Sequence, residues 1–128
     1  MTRPVIALFF LASLWLTGPA SAVDEVWEID VCRDFSLIAI DVMTARQKKK
    51  PMSETLPNAI RQITAWAEKY RLELNSEKVE EVAAMLVMPA YDRAAYPSGS
   101  AWNPERKDAI RDFENLHFEE CYKGLTSD

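Results

Sequence analysis

His117 is the only histidine in the chain, and Glu114, Glu120 and Cys121 stand three or four positions from it. On a helix that spacing gathers all four on one face. Such a donor set suits zinc or copper only when the cysteine is a free thiolate. With Cys121 oxidised, His117 and Glu114 are too few ligands, and His117 reads as a half-buried packing residue. Nucleophilic hydrolysis needs a serine or cysteine beside a base, and one histidine without a nucleophile elbow makes no recognisable triad. Carboxylates do occur in pairs, Glu80 with Glu81 and Glu119 with Glu120. Adjacent helical residues point about 100° apart, so these pairs form a solvated face rather than an acid and base across a substrate. There is no phosphate-cradling glycine loop. The residues predict no catalytic group, no metal and no cofactor, with a small hydrolase or metal carrier as the remaining chemical alternative.

Whether Cys121 is a thiol depends on the compartment, and the first residues bear on that. Arg3 is a positive start, Val5 to Leu16 is an uncharged apolar run, Gly18 and Pro19 break it, and Ala20-Ser21-Ala22 ends it with small residues. That is the layout of a cleaved secretory signal over residues 1–22. The alternative, a retained anchor, needs roughly 20 apolar residues to span a bilayer, and this run has 12. Cys32 lies ten positions past Ala22, which argues against a lipoprotein. The expectation is a single mature domain over residues 23–128, periplasmic or secreted, without a stable membrane anchor. Two cysteines in an exported chain pair most simply with each other, Cys32 with Cys121, against the rival readings of a catalytic thiol or a metal ligand. Closing a loop of 89 residues would stabilise the fold by roughly 4 to 5 kcal/mol in the chain-entropy model.

The mature part carries 14 Lys and Arg against 20 Asp and Glu, a formal charge of −6. That balance argues against nucleic acid as a partner, because phosphate neutralisation dominates such binding. Lys48-Lys49-Lys50 suits anionic lipid or cell-wall polymer, or else simply a helix end and a soluble loop. Tyr91, Tyr96 and Trp102 fall near a proline and a loop rather than on a clean core stripe. Exposed aromatics anchor protein interfaces, and the same residues can instead cap the end of a small bundle.

Four helices must position these groups. Cys32, Phe35, Ile38 or Ala39, and Val42 recur at helical spacing, predicting a first helix that starts at Asp24 or Asp30 and ends near Arg46 or Gln47, before Pro51. Ser53 or Thr55 would cap a second helix, with Pro57 in its first turn and Ile60, Ile63, Ala67 and Tyr70 as its apolar stripe. Leu72 to Asn75 read as a turn, and Asn75 or Ser76 caps a third helix with Val79, Val82, Ala83, Leu86 and Val87 inward. Pro89 should kink that helix, which is expected to continue through Ala95. Asn103-Pro104-Glu105 opens a last helix with Phe113, Leu116 or His117, and Cys121 on one face, ending at Gly124. The expected fold is all-α, a bundle of about four helices with first and last joined by the disulfide.

Cys32 in the first helix, Ala45-Arg46-Gln47 at its end, Met52-Ser53 after the turn, Ala90-Tyr91, and Phe113 followed by Glu120-Cys121 resemble a functionally uncharacterised group of small exported helical proteins of proteobacteria and their prophages. Members carry glycine soon after Ala-Arg-Gln, where this chain has Lys48-Lys49-Lys50. The resemblance implies no catalytic residues and marks Arg46, Gln47 and Tyr91 as positions to test, with a structural role for Arg46, reaching back to carbonyls or an acidic neighbour, as the alternative. The expected function is a non-catalytic exported domain that binds a protein partner of the cell envelope, as an inhibitor or immunity protein, through Arg46, Gln47, Tyr91, Tyr96 and Trp102. An acid-activated envelope stress chaperone is the alternative.

Overall fold

The computed structural model describes residues 18–96 and 104–127, with side chains from residue 26 onward. Its helices are α1 (Gly18–Gln47), α2 (Met52–Lys69), α3 (Ser76–Tyr91) and α4 (Pro104–Thr126). No strand occurs among the described residues. At 30 residues α1 is about 45 Å long at 1.5 Å per residue, and it is the hub. It packs most extensively on α4 and also on α2 and α3, while α2 packs on α3. Val31, Cys32, Phe35, Ile38, Ala39, Val42 and Met43 are accordingly buried, a band too wide for a helix with one covered face. Ala59 and Ile63 of α2, Val79, Ala83, Leu86, Val87 and Ala90 of α3, and Phe113 of α4 complete the core. The Cys32–Cys121 disulfide, with a Cα–Cα distance of 5.6 Å, ties α1 to α4.

The helix ends show where local signals held. α1 stops at Gln47, before Pro51 as expected, and α4 is described from Pro104, the expected cap Asn103 lying outside the described residues. Asn75 caps α3, its side chain accepting from the Lys78 N–H at 2.8 Å. Four boundaries differ from expectation. α1 is described from Gly18 and is already helical at Asp24 and Asp30, so neither starts it. α2 begins at Met52, with Pro51 rather than Ser53 or Thr55 in the cap position. The Pro51 carbonyl accepts from the Glu54 and Thr55 N–H groups, which places Pro57 inside the helix instead of in its first turn. α3 passes Pro89 but ends at Tyr91 instead of running to Ala95, for a tertiary reason described below. α4 continues past Gly124, where the Ser127 N–H bonds the Lys123 carbonyl.

Two helices close in the same unusual way. Lys50 N–H reaches the Ala45 carbonyl at 3.0 Å, and Leu72 N–H reaches the Ala67 carbonyl at 2.8 Å. These are the wide closures of a Schellman end. The residue before each donor is left-handed, Lys49 at φ 62 and Arg71 at φ 56. A β-carbon there costs roughly 1–2 kcal/mol, which is why glycine usually holds the position. Lys49→Gly and Arg71→Gly are each expected to stabilise the oxidised protein by about 0.5–1 kcal/mol, seen as a higher urea midpoint with an unchanged slope. Glycine at exposed Lys48 should lower it.

Candidate functional site

Four of the five residues expected at a partner surface meet at one end of the bundle, in contact with the chain itself. Gln47 ends α1 and is 1% exposed. Its Nε2 donates to the Ala94 carbonyl at 2.9 Å, and its Oε1 accepts from the Tyr96 N–H at 2.9 Å. One amide thus satisfies a carbonyl and an N–H of the segment after α3. Beside it, Arg46 Nε donates to the Arg93 carbonyl at 2.9 Å, and its guanidinium lies 5.3 Å from the centre of the Tyr91 ring. The Tyr91 hydroxyl donates to the Lys50 carbonyl at 2.6 Å. Thr55 Oγ1 lies 2.8 Å from the same hydroxyl oxygen and 3.4 Å from the Pro51 carbonyl.

These contacts explain why α3 stops at Tyr91. The carbonyls of Arg93 and Ala94 are claimed by α1, whereas helix continuation would point them along α3. Arg46 does reach carbonyls, though of another segment. Gln47 is too buried to touch a partner, and its place is a structural one. The polar groups of Tyr91 are engaged internally, and Tyr96 contributes its backbone N–H. Trp102 lies outside the described residues. Sequence reasoning missed Thr55 and the three acceptor carbonyls, and backbone carbonyls carry no residue-type signal that would have revealed them.

The opposite stretch of the bundle is different in kind. A recess of about 240 Å³ opens where all four helices and the α2–α3 turn converge, walled by Phe35, Trp66, Leu74, Val82, Met85 and Leu125. The Trp66 indole is held by its Nε1 donating to the Val31 carbonyl at 2.9 Å, and its ring lies 4.9 Å from that of Phe35. Cys121 and His117 of α4 also border the recess, so the disulfide anchors one of its walls. Among the described residues Glu73 and Glu120 are its carboxylates, and no lysine or arginine lines it. Met85 at the recess and Met88 one turn on are 59% and 54% exposed. The available sequence signal was Met85 and Met88 at helical spacing from Val82, a residue expected on the core stripe.

His117 is buried against Phe113, with ring centres 4.3 Å apart. Its Nδ1 is 3.7 Å from Glu120, and its Nε2 has no hydrogen-bond partner among the described residues. Burial holds its pKa below the usual histidine value, against the pull of Glu120 and with a smaller push from Arg93. It is therefore a neutral ring at neutral pH. Because Cys121 is in the disulfide, the constellation around His117 has no thiolate to offer a metal. Near the C-terminal end of α2, Lys69 Nζ and the Tyr70 hydroxyl bond the same Asp34 oxygen at 2.7 and 2.5 Å. The Lys69 and Tyr70 bonds hold the Asp34 carboxyl below its ordinary pKa. A second recess, of about 420 Å³ between α1 and α2, sets Lys48, Lys50 and Arg61 against Asp41 and Glu54, a mixture with no strong preference for either sign.

Comparison with protein-family models, with curated proteins and with solved structures finds no match to the chain. The functional reading therefore rests on the geometry.

Two measurements check that geometry. Gln47→Ala removes the two bonds by which a buried amide holds the segment after α3, and strands the Ala94 carbonyl and Tyr96 N–H. It is expected to cost about 2–4 kcal/mol in chemical denaturation, against about 1 kcal/mol for Tyr91→Phe. For His117, a folded-state pKa below the unfolded value of about 6.5 means that acid favours unfolding. Its stability contribution is complete above that value and falls as pH drops toward the folded-state pKa, by at most about 1.4 kcal/mol per pH unit. Urea midpoints of the parent should fall between about pH 7 and pH 5, and those of His117→Leu should fall less. The Asp34 contribution is present above the ordinary carboxylate range and is lost below it, as pH falls through the lowered pKa.

Proposed function

We propose that the chain is a non-catalytic exported domain that binds a protein partner in the periplasm or outside the cell, as an inhibitor or immunity protein would. The observation that carries the reading is the apolar recess beside Met85 and Met88. Large exposed apolar side chains next to a concave apolar wall are where hot-spot residues of a partner seat. The aromatic end supports the reading less well, since Arg46, Gln47 and Tyr91 satisfy their polar groups within the chain.

Export is supported by the disulfide, which points to an oxidising, non-cytoplasmic compartment. No helix among the described residues is long and apolar enough to cross a membrane. Residues 1–22 have the layout of a cleaved leader. The net charge of the mature part, −6, would draw it toward a basic partner and speed encounter. The resemblance to small exported helical proteins agrees with this class.

An acid-activated envelope chaperone is the second reading, favoured by His117 and Asp34, whose lowered pKa values both make the fold less stable in acid. Loosening α4 or α2 from α1 would bare the recess wall.

Expression in a Gram-negative host with an intact export pathway should yield an oxidised protein whose first residue is Val23. Envelope extracts crosslinked to it should give a discrete partner that Met85→Glu fails to capture and Tyr96→Phe retains. A protein retained in the cytoplasm, or capture indifferent to Met85→Glu, would count against the first reading. The second predicts protection of an aggregating client at about pH 3 but not at pH 7, with apolar dye binding to match.

A further inference from the structure

We infer that the occupant of the recess is a basic amphipathic segment of another protein, whose apolar face seats against Met85 and Met88 and whose lysines or arginines pair with Glu73 and Glu120. The inference deepens the binding reading above and rests on it.

Charge complementarity selects the occupant. Glu73, from the α2–α3 turn, and Glu120, from α4, border the same apolar recess, and among the described residues no lysine or arginine lines it. The two carboxylates come from different elements, so basic side chains flanking an apolar anchor would meet one on either side. Both are exposed, and Glu120 has only a 3.7 Å approach from the His117 Nδ1, a ring that burial keeps uncharged. An apolar wall beside them excludes water and strengthens their pull on a cation.

The shape of the apolar surface favours a peptide over a small molecule. A compound filling about 240 Å³ would leave Met88 bare, because that residue lies a turn beyond the recess along α3 and is 54% exposed. A helix laid along α3 covers the recess, Met85 and Met88 together, in the manner of a helix in a groove. Paired methionines suit that use, since their flexible, polarisable side chains repack around different apolar faces. A second copy is the wrong partner, because it would bring the same two carboxylates to the contact and an equal net charge of −6. An anionic lipid surface is repelled on the same ground.

The probe is a synthetic leucine–lysine amphipathic peptide added to the purified oxidised protein carrying labelled methionine methyl groups, with a leucine–glutamate peptide of the same pattern as counter-probe. The leucine–lysine peptide should shift the Met85 and Met88 methyl signals and leave buried Met43 in place. Glu73→Lys with Glu120→Lys should weaken binding about tenfold or more, and Glu77→Lys with Glu80→Lys, the same change of charge on exposed residues that do not line the recess, about threefold or less. Thermal melting of both variants guards against unfolding. Equal binding of the two peptides, equal weakening by the two charge pairs, or unmoved Met85 and Met88 signals overturn the inference. So do methyl shifts that appear on concentrating the protein alone, which would assign the recess to a second copy. If the inference falls while Met85→Glu still abolishes capture from envelope extracts, only the basic character of the partner is lost. If both fail, the binding reading fails with it.

Discussion

The Cys32–Cys121 bridge joins α1 to α4, the two helices that pack most extensively on each other. α4 supplies one fully buried apolar residue, Phe113, and the buried ring of His117, whereas α3 supplies five core residues. Burying a single phenylalanine is worth on the order of 1.5–3 kcal/mol, and Ala109, Ile110 and Cys121 add partial burial against the core, while the helix backbone costs about 1–2 kcal/mol per residue to fix. Helical hydrogen bonds offset part of that cost, and the Cys32–Cys121 bridge offsets more by confining the unfolded chain. Because Cys32 is wholly buried, the bridge also fixes how α4 is placed against α1. The recess, which α4 helps to wall with Cys121 and Leu125, inherits that placement.

A second constraint works at the other end of α1. There the side chains of Arg46 and Gln47 hold the segment after α3, and Tyr91 holds the turn before α2. These bonds link residues more than forty positions apart through backbone carbonyls, so they fix the path of the chain where no regular element does. The alternative of a solvent-facing polar end would leave the Ala94 carbonyl and Tyr96 amide without partners inside a partly buried segment, at about 1–3 kcal/mol each. The residues that looked most like a recognition motif are thereby the ones that close the bundle.

Between these two fixed ends the surface is left with apolar area that the bundle does not cover. Trp66 and Phe35 are oriented by a hydrogen bond and by each other, so the recess wall is preorganised, while Met85 and Met88 remain free to adapt. The same region carries the two groups that acid would disturb, His117 in the wall and Asp34 on the outer side of α1, bonded to Lys69 and Tyr70. A partner bound to this face and an acid-driven opening would compete for the same apolar surface, which makes the two functional readings mutually testable.

Much of the fold was legible in the chain because its determinants are local. Apolar residues at three- and four-residue spacing mark all four helices, Asn75 marks the start of α3, and the turn before Pro51 ends α1 where it should. An oxidised pair was legible from compartment logic alone, since an export-like leader and two cysteines leave one pairing. The candidate site was less legible. Gln47 and Tyr91 were noticed for their residue types, but type does not say whether an amide meets a partner or a carbonyl forty-seven positions away. The end of α3 depended on those same distant carbonyls, and the recess depended on five segments meeting around Met85. By itself the sequence determined the helices, the staple and the acidic charge, because each follows from nearest neighbours or from composition. Only the tertiary structure decided which polar side chains are consumed in closing the bundle and which apolar ones are left facing water, because burial is a property of packed elements and not of any one of them.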